Sequence, residues 1–183
     1  MDNLNIPEVM RHFMYLDLLC HEENVTMEIT IFGGTAFLLR LGEENFRFTM
    51  DIDYKLEGIS REDAIKDILA HLPAIFQNLG GFPFYPDRDM YKEDLTLYEF
   101  EQKTFTNLRL NLPSIEMLAL SKLMSSRGKD LDDLLELPIL EKCDLEKLSN
   151  LSEECKSYMT DYEYHQSNYS EWENILLKRG LPL

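Results

Sequence analysis

Hydrophobic residues in the first part of the chain recur at two spacings, which predict a helix followed by a strand. Apolar residues at steps of three and four after Pro7 predict an amphipathic helix that ends near residues 22–24. Apolar and polar residues then alternate over 27–31, which is the period of a half-buried strand. A pair of glycines follows at once, and the apolar segment 36–41 predicts a short second helix. The predicted order is helix, strand, glycine turn and helix.

The alternation resumes at residue 51 and predicts a second strand over 51–56. Because successive side chains of a strand point to opposite faces, Ile52 and Tyr54 should lie on one face. Asp51 and Asp53 should then lie together on the other face. The pattern therefore predicts two neighbouring carboxylates on one side of a sheet.

The rest of the chain is predicted to alternate between helical and extended segments. The predicted elements are a helix from residue 60 to near residue 80, a loop over 82–89, an antiparallel hairpin of 95–100 and 105–112, a helix from 114 to 137 interrupted at 127–128, and one or two helices within 145–177. The length of 183 residues fits one domain, or one domain with a helical extension.

Composition and charge narrow the class of partner. A hydrophobic fraction of 44% indicates a globular protein. The formal net charge of -16 argues against non-specific binding to DNA or to an anionic membrane, because both need a basic surface. The three cysteines fit neither a disulfide framework nor a zinc site, and they indicate reduced thiols and a cytoplasmic location. No stretch approaches the length of about 20 apolar residues that spans a bilayer.

The acid pair is the first candidate for chemistry. Three Asp-x-Asp sequences occur, but one lies in the predicted loop and one in a predicted helix, where positions i and i+2 do not face each other. Asp51 and Asp53 alone lie on a predicted strand, where their side chains are about 7 Å apart at a rise of about 3.3 Å per residue. That spacing suits one or two cations that prefer oxygen ligands.

The glycine turn is the second candidate. Gly33 and Gly34 would let the backbone approach a phosphate, and the start of the following helix offers free N–H groups and a positive dipole. Thr35 adds a hydroxyl. A metal, a phosphate cradle and a carboxylate are the parts that phosphoryl or nucleotidyl transfer requires. Arg47 is a further candidate phosphate contact, whereas Arg40 is expected to be a solvated residue of the second helix.

Four short motifs in this order resemble a known superfamily. The motifs are Gly33-Gly34-Thr35-Ala36, Arg47-x-Thr49-x-Asp51-Ile52-Asp53, Lys122-Leu123 and Lys129-Asp130-x-x-Asp133. Together they resemble the nucleotidyltransferases of DNA polymerase beta type, over roughly residues 25–137. Within that superfamily the chain is most similar to small bacterial proteins related to the toxins of abortive-infection toxin–antitoxin systems.

The resemblance implies an α+β fold, with a small mixed sheet flanked by helices. It implies that Asp51 and Asp53 bind Mg²⁺ or Mn²⁺ and that the glycine turn binds the triphosphate. It also implies that Lys122, Lys129 and Asp130 border the same cleft. The superfamily usually has a third carboxylate on a neighbouring strand. With Leu95 and Leu97 expected to point inward, strand parity leaves Asp94 on the face of the site, so Asp94 is the candidate for that role. We expect a nucleotidyltransferase-like core over 1–137 and a helical extension over 138–183 packed on it.

The resulting functional prediction is transfer of a nucleoside monophosphate from a nucleoside triphosphate (NTP) to a hydroxyl group. The acceptor is a transfer RNA end, a protein Ser, Thr or Tyr side chain, or a small molecule such as an aminoglycoside, and the sequence does not select among these. A toxin-like role would add a cognate antitoxin as partner. The alternative is a catalytically inactive nucleotide-binding or protein-interaction module of the same fold, which a missing third carboxylate would favour.

Overall fold

The computed structural model describes residues 4–79, 90–98 and 105–182. The chain divides into two compact units. The first unit comprises Met1–Gly80 and Leu95–Pro113, and the second comprises Gly81–Asp94 and Ser114–Leu183. The predicted domain boundary at residue 137 lies within the second unit.

The first unit contains a five-stranded mixed sheet with the strand order β3-β2-β1-β5-β4. Its strands are β1 (Met27–Ile31), β2 (Ile52–Ile59), β3 (Phe76–Asn78), β4 (Thr96–Leu97) and β5 (Leu108–Leu112). β1 pairs antiparallel with β2 and parallel with β5. β3 is parallel to β2, and β4 is antiparallel to β5. The mixed sheet and the α+β class are as predicted.

In its described residues the first unit also contains three α-helices and one 3-10 helix: α1 (Ile6–Glu22), α2 (Gly33–Leu41) and α3 (Ile65–His71), with the 3-10 helix at Glu62–Ala64. α1 begins at a capping box formed by Asn5 and Glu8, and it buries Phe13 and Leu16 completely. α2 ends at Gly42, whose φ of 82° favours glycine. The predicted first and second helices are thus confirmed.

The predicted helix from residue 60 to residue 80 is wrong beyond His71. Leu72 is extended, with φ -66° and ψ 134°, because the following Pro73 disfavours helical geometry at the preceding residue and has no N–H to donate. The chain then forms β3 at the edge of the sheet. Phe76 lies with its ring centroid 6.0 Å from that of Tyr54 on β2, so this part of the predicted helix is a strand packed on the core.

The predicted hairpin exists but is shorter than expected. β4 comprises two exposed residues, and the Tyr98 N–H donates to the carbonyl of Leu110 at 2.9 Å just beyond it. Leu97 is 48% exposed, so the expectation that it points inward is wrong. The predicted turn near residues 101–103 and the predicted loop 82–89 lie outside the described residues.

The described part of the second unit is helical. Its α-helices are α4 (Ile115–Leu123), α5 (Gly128–Glu136), α6 (Leu145–Lys156), α7 (Asp161–Gln166) and α8 (Trp172–Arg179), with 3-10 helices at Met90–Asp94, Leu140–Lys142 and Asn168–Glu171. The Ser114 hydroxyl caps α4 by accepting the Met117 N–H at 3.2 Å. The predicted helix is interrupted as expected, but at residues 124–127 rather than 127–128, because Gly128 is already the first residue of α5. Over the three described ranges, no helix combines the length and the hydropathy needed to cross a bilayer.

Candidate nucleotide and metal site

The glycine turn after β1 lies directly against one of the two acids. Gly33 has a φ of 59°, which favours glycine, and it is the first residue of α2. A Cβ atom placed on Gly33 would lie 2.2 Å from Oδ2 of Asp53. The preceding Phe32 donates its N–H to the Asp53 carbonyl at 2.8 Å. Both the main chain and the side chain of Asp53 therefore meet the start of α2.

Asp51 and Asp53 share one face of the sheet. Gln77 on β3 is the register partner of Asp53 in a parallel pair, so the two side chains lie on the same face. The Gln77 amide also reaches Asp51, with 3.4 Å between Nε2 and Oδ2. Ile52 and Tyr54, at the intervening positions, are buried. The two carboxylates consequently lie on the sheet face opposite these apolar side chains.

Thr35 connects the helix start to the residue that precedes β2. Its hydroxyl is fully buried and donates to the main-chain carbonyl of Asp51 at 2.6 Å. Thr49 donates to the same carbonyl at 3.2 Å. A Cβ atom on Gly34 would lie 2.8 Å from Oγ1 of Thr49, so a side chain at this position would displace the Thr49 hydroxyl. The turn, the helix start and the acids form one continuous set of contacts.

The two arginines near this site have different surroundings. The Arg47 guanidinium lies over the ring of Phe46, 5.5 Å from its centroid, in the segment that leads to the acids. Arg40 was predicted to be a solvated helix residue, and this is wrong. Its guanidinium donates to the carbonyls of Leu112 and Pro113, at 2.9 and 2.6 Å from Nη2, because the end of β5 leaves these carbonyls beside α2.

Lys122 and Asp130 meet in the second unit. The Lys122 ammonium contacts Oδ1 of Asp130 at 3.0 Å and Oδ2 of Asp133 at 2.6 Å, and its side chain is only 7% exposed. Arg127 binds the other oxygen of Asp130 at 2.7 Å. Lys129 is exposed on the same helix. Of the predicted contacts in this unit, Lys122 and Asp130 thus form a buried ion network and Lys129 lies outside it.

The pKa of Asp130 reflects this network. Burial alone would raise the pKa of the carboxyl group, since it disfavours the charged form. The Lys122 ammonium and hydrogen bonds from Ser125, Lys122 and Arg127 outweigh burial and hold the pKa below its ordinary value of 3.8. Asp130 is therefore ionised at neutral pH.

Asp94 does not lie on a strand. It ends the 3-10 helix Met90–Asp94 of the second unit, so the strand parity from which it was selected does not apply. Its carboxylate contacts the Lys147 ammonium at 2.8 Å. Its catalytic role stays a prediction, now without the positional argument that suggested it.

Other polar residues on the sheet of the first unit were missed by the sequence analysis. Asn111 on β5 is the register partner of Thr30 on β1, and both are buried. Asn111 donates to Glu28 at 2.7 Å, and Thr30 donates to Glu57 at 2.8 Å. Gln77 was missed because its segment was assigned to a helix. The pairing of β1 with β5 depends on strands that are about 80 residues apart, and no local pattern reports it.

The donor set fits a hard divalent cation. Asp51 and Asp53 supply carboxylate oxygens, which Mg²⁺ and Mn²⁺ prefer. Within residues 4–79, 90–98 and 105–182, no three His, Cys, Asp or Glu side chains are grouped as a metal site. Mg²⁺ sites commonly use one or two carboxylates and complete their coordination with waters and substrate phosphates. Two acids beside a helix start are compatible with that arrangement.

Comparison with known proteins gives a family. The family model described as "Nucleotidyltransferase of unknown function (DUF6036)" matches residues 9–178. A solved structure with detectable similarity is that of an antigenic nucleotidyltransferase-like protein from Paracoccidioides brasiliensis, with 16% identity, 91% of this chain and 96% of that chain covered, and a TM-score of 0.46. No curated protein matches the chain. Because the family model spans nearly all of the chain, this protein belongs to the DUF6036 family of nucleotidyltransferases.

Proposed function

We propose that this chain is a divalent-metal-dependent nucleotidyltransferase that moves a nucleoside monophosphate from an NTP to a hydroxyl acceptor. Family membership supports the reaction class. The single observation that supports the site is the contact of the Asp53 carboxylate with Gly33, which leaves no room for a Cβ atom between the acid and the start of α2. Asp51 shares the same sheet face.

In this proposal Asp51 and Asp53 hold Mg²⁺ or Mn²⁺ beside the first turn of α2. The bound cation would neutralise charge on the triphosphate and on the departing pyrophosphate. Phe32 at the N-cap provides no capping side chain, so the N–H groups of Gly33 and Gly34 are suited to orient phosphate oxygens. Arg47, in the segment that leads to the acids, is assigned to nucleotide binding.

The reaction forms one bond and breaks one. The acceptor hydroxyl oxygen attacks the α-phosphorus, and the bond from that phosphorus to the oxygen bridging to the β-phosphate breaks. Pyrophosphate leaves with the electron pair of that bond. The hydroxyl proton passes to a carboxylate, and Asp94 is the candidate for this base.

The test is transfer of label from each of four α-labelled NTPs, with Mg²⁺ and cell extract. Label in RNA, in protein or in a small molecule would identify the acceptor class. Loss of the metal should cost several kcal/mol of transition-state stabilisation, so Asp51→Asn and Asp53→Asn should each reduce transfer about 100-fold or more. Asp67→Asn, which changes an exposed acid of the same unit, should leave transfer unchanged. Equal transfer by all variants would contradict the proposal.

The rival function is a nucleotide-binding module without turnover. The contact of Asp94 with Lys147 favours it, because this acid is already committed to an ion pair. A ligand that binds only the folded state raises the melting temperature by mass action. A rise in melting temperature with Mg²⁺ and NTP, without transfer of label to any acceptor, would support the rival.

We further propose a toxin-like role with a cognate antitoxin as partner, on the resemblance of the four motifs to abortive-infection toxins. Induced expression of the wild-type chain in a bacterial host should then arrest growth. The Asp51→Asn, Asp53→Asn double variant should not arrest it, since transfer would be lost. Undisturbed growth with the wild-type chain would contradict the toxin role and would leave the transferase proposal standing.

A further inference from the structure

Two threonine hydroxyls converge on one carbonyl at the start of β2. Thr35 donates to the main-chain oxygen of Asp51 at 2.6 Å, and Thr49 donates to the same oxygen at 3.2 Å. We propose that Thr49 and Thr35 are positioning residues that fix the Asp51–Ile52 peptide and thereby aim the two metal-binding carboxylates. This inference rests on the proposed function of the acids.

The peptide concerned is held at both of its polar atoms. Its carbonyl accepts the two hydroxyls, and its N–H, which belongs to Ile52, donates to the carbonyl of Ile75 at 2.8 Å. A peptide group is planar, so holding its oxygen and its hydrogen fixes its orientation. This peptide links the Cα atom of Asp51, which carries the Asp51 side chain, to the Cα atom of Ile52, the first residue of β2. Its orientation therefore sets the direction of the Asp51 side chain and the entry to Asp53.

Thr49 is itself rigidly held. It forms an isolated antiparallel bridge with Leu4. The Leu4 N–H donates to the Thr49 carbonyl at 2.6 Å, and the Thr49 N–H donates to the Leu4 carbonyl at 3.3 Å. The Thr49 side chain is buried, and its hydroxyl lies against Gly34. Hence Thr49 transmits the position of the N-terminal segment and of the glycine turn to the peptide that follows Asp51.

Thr35 holds the same carbonyl from the start of α2. It lies in the first turn of α2 and is fully buried, so its hydroxyl connects the helix start to β2 across 16 positions of sequence. A threonine hydroxyl has one proton to donate. Because that proton is given to the Asp51 carbonyl, Thr35 acts on the phosphate site through Asp51, and the N–H groups of the turn are left to meet the phosphates.

The test measures Mn²⁺ binding to the full chain by electron paramagnetic resonance, without nucleotide. Thr49→Val keeps the shape of the side chain and removes the hydroxyl, and we expect it to weaken Mn²⁺ binding about two- to twelvefold, the range of one net hydrogen bond. Thr49→Ser keeps the hydroxyl and should bind as the wild type does. Thr26→Val is the matched control at an exposed threonine of the same unit and should also bind normally.

Stability measured in EDTA separates positioning from a general effect on folding. Thr49→Val should keep a cooperative melting transition while its Mn²⁺ affinity falls. Equal affinity of Thr49→Val and the wild type would overturn the inference, as would equally weak binding by Thr49→Ser. If Thr49→Val does not fold, Thr35→Val decides in the same way, and wild-type affinity in that variant overturns the inference. A wild-type chain that binds no Mn²⁺ would instead overturn the proposed function, and the inference with it.

Discussion

Gly33 is the residue on which the site geometry depends most closely. It combines a φ of 59° with a position that would place a Cβ atom 2.2 Å from an oxygen of Asp53. The positive φ alone costs a residue with a side chain about 1–2 kcal/mol. The second effect is steric and acts on the carboxylate, which must move away from the start of α2.

We therefore expect Gly33→Ala to lower the free energy of unfolding by about 1–3 kcal/mol and to abolish metal binding. Gly180→Ala provides the control, because Gly180 has a similar φ of 67° with no atom within 4 Å of its added Cβ. Gly180→Ala should lower the free energy of unfolding by about 1–2 kcal/mol and leave metal binding intact. Urea unfolding and Mn²⁺ titration of both variants check this, and normal Mn²⁺ affinity in Gly33→Ala would contradict the contact.

At the same scale, the sequence predicts which residues share a face but not what holds them there. The alternation at residues 51–54 is local, so the common face of Asp51 and Asp53 can be predicted from it. The convergence of Thr35 and Thr49 on one carbonyl depends on how α2 meets the chain before β2. No spacing in the sequence encodes that meeting.

Among the elements, α4 and α5 are joined by a buried ion network. Lys122 on α4 contacts Asp130 and Asp133 on α5, and the Asp130 carboxyl group has a lowered pKa. A carboxyl group whose pKa is lower in the folded state stabilises the fold at pH above its unfolded value of 3.8. That contribution is lost as the pH falls below 3.8 and through the folded-state pKa.

Asp130→Asn should accordingly destabilise the chain by about 1.5–3 kcal/mol at pH 7, the range for a hydrogen bond to a charged group. The difference from the wild type should shrink as the pH is lowered below 3.8, because the wild-type carboxyl group is then protonated. Asp132→Asn, at an exposed position of the same helix, should show neither effect. Urea unfolding at several pH values between 2 and 7 measures the free energy of unfolding of each variant. A difference between Asp130→Asn and the wild type that does not depend on pH would contradict a lowered pKa for Asp130.

The boundaries of an element could be predicted where a local sequence signal marks them. They could not be predicted where pairing between distant strands determines them. Pro7 near the start of α1, Gly42 after α2 and Ser114 before α4 are local signals, so these helices were predicted. β3 was missed because Phe76 continues the helical spacing that begins at Ile65. The parallel pairing of this segment with β2 is a tertiary interaction that outweighs the local pattern.

For the molecule as a whole, the sequence supports a reaction class more firmly than a complete site. The acids and the glycine turn lie together in the first unit, whereas Asp94, Lys122, Lys129 and Asp130 belong to the second. Under the proposed function, the net charge of -16 requires that local cations and the bound metal, rather than the overall field of the protein, attract the NTP. The sequence does not locate a third carboxylate, because the strand parity that selected Asp94 fails: this residue lies in a 3-10 helix.

The central claim is that Asp51 and Asp53 hold a divalent cation at the start of α2. Its most direct test is a crystal of the full chain grown with Mn²⁺ and an NTP analogue that cannot be cleaved between the α- and β-phosphates, with anomalous scattering recorded for manganese. The account predicts an anomalous peak about 2.1 Å from a carboxylate oxygen of each acid, with the phosphates against the N–H groups of Gly33 and Gly34. Manganese and nucleotide bound elsewhere, with the two acids free of metal, would contradict it.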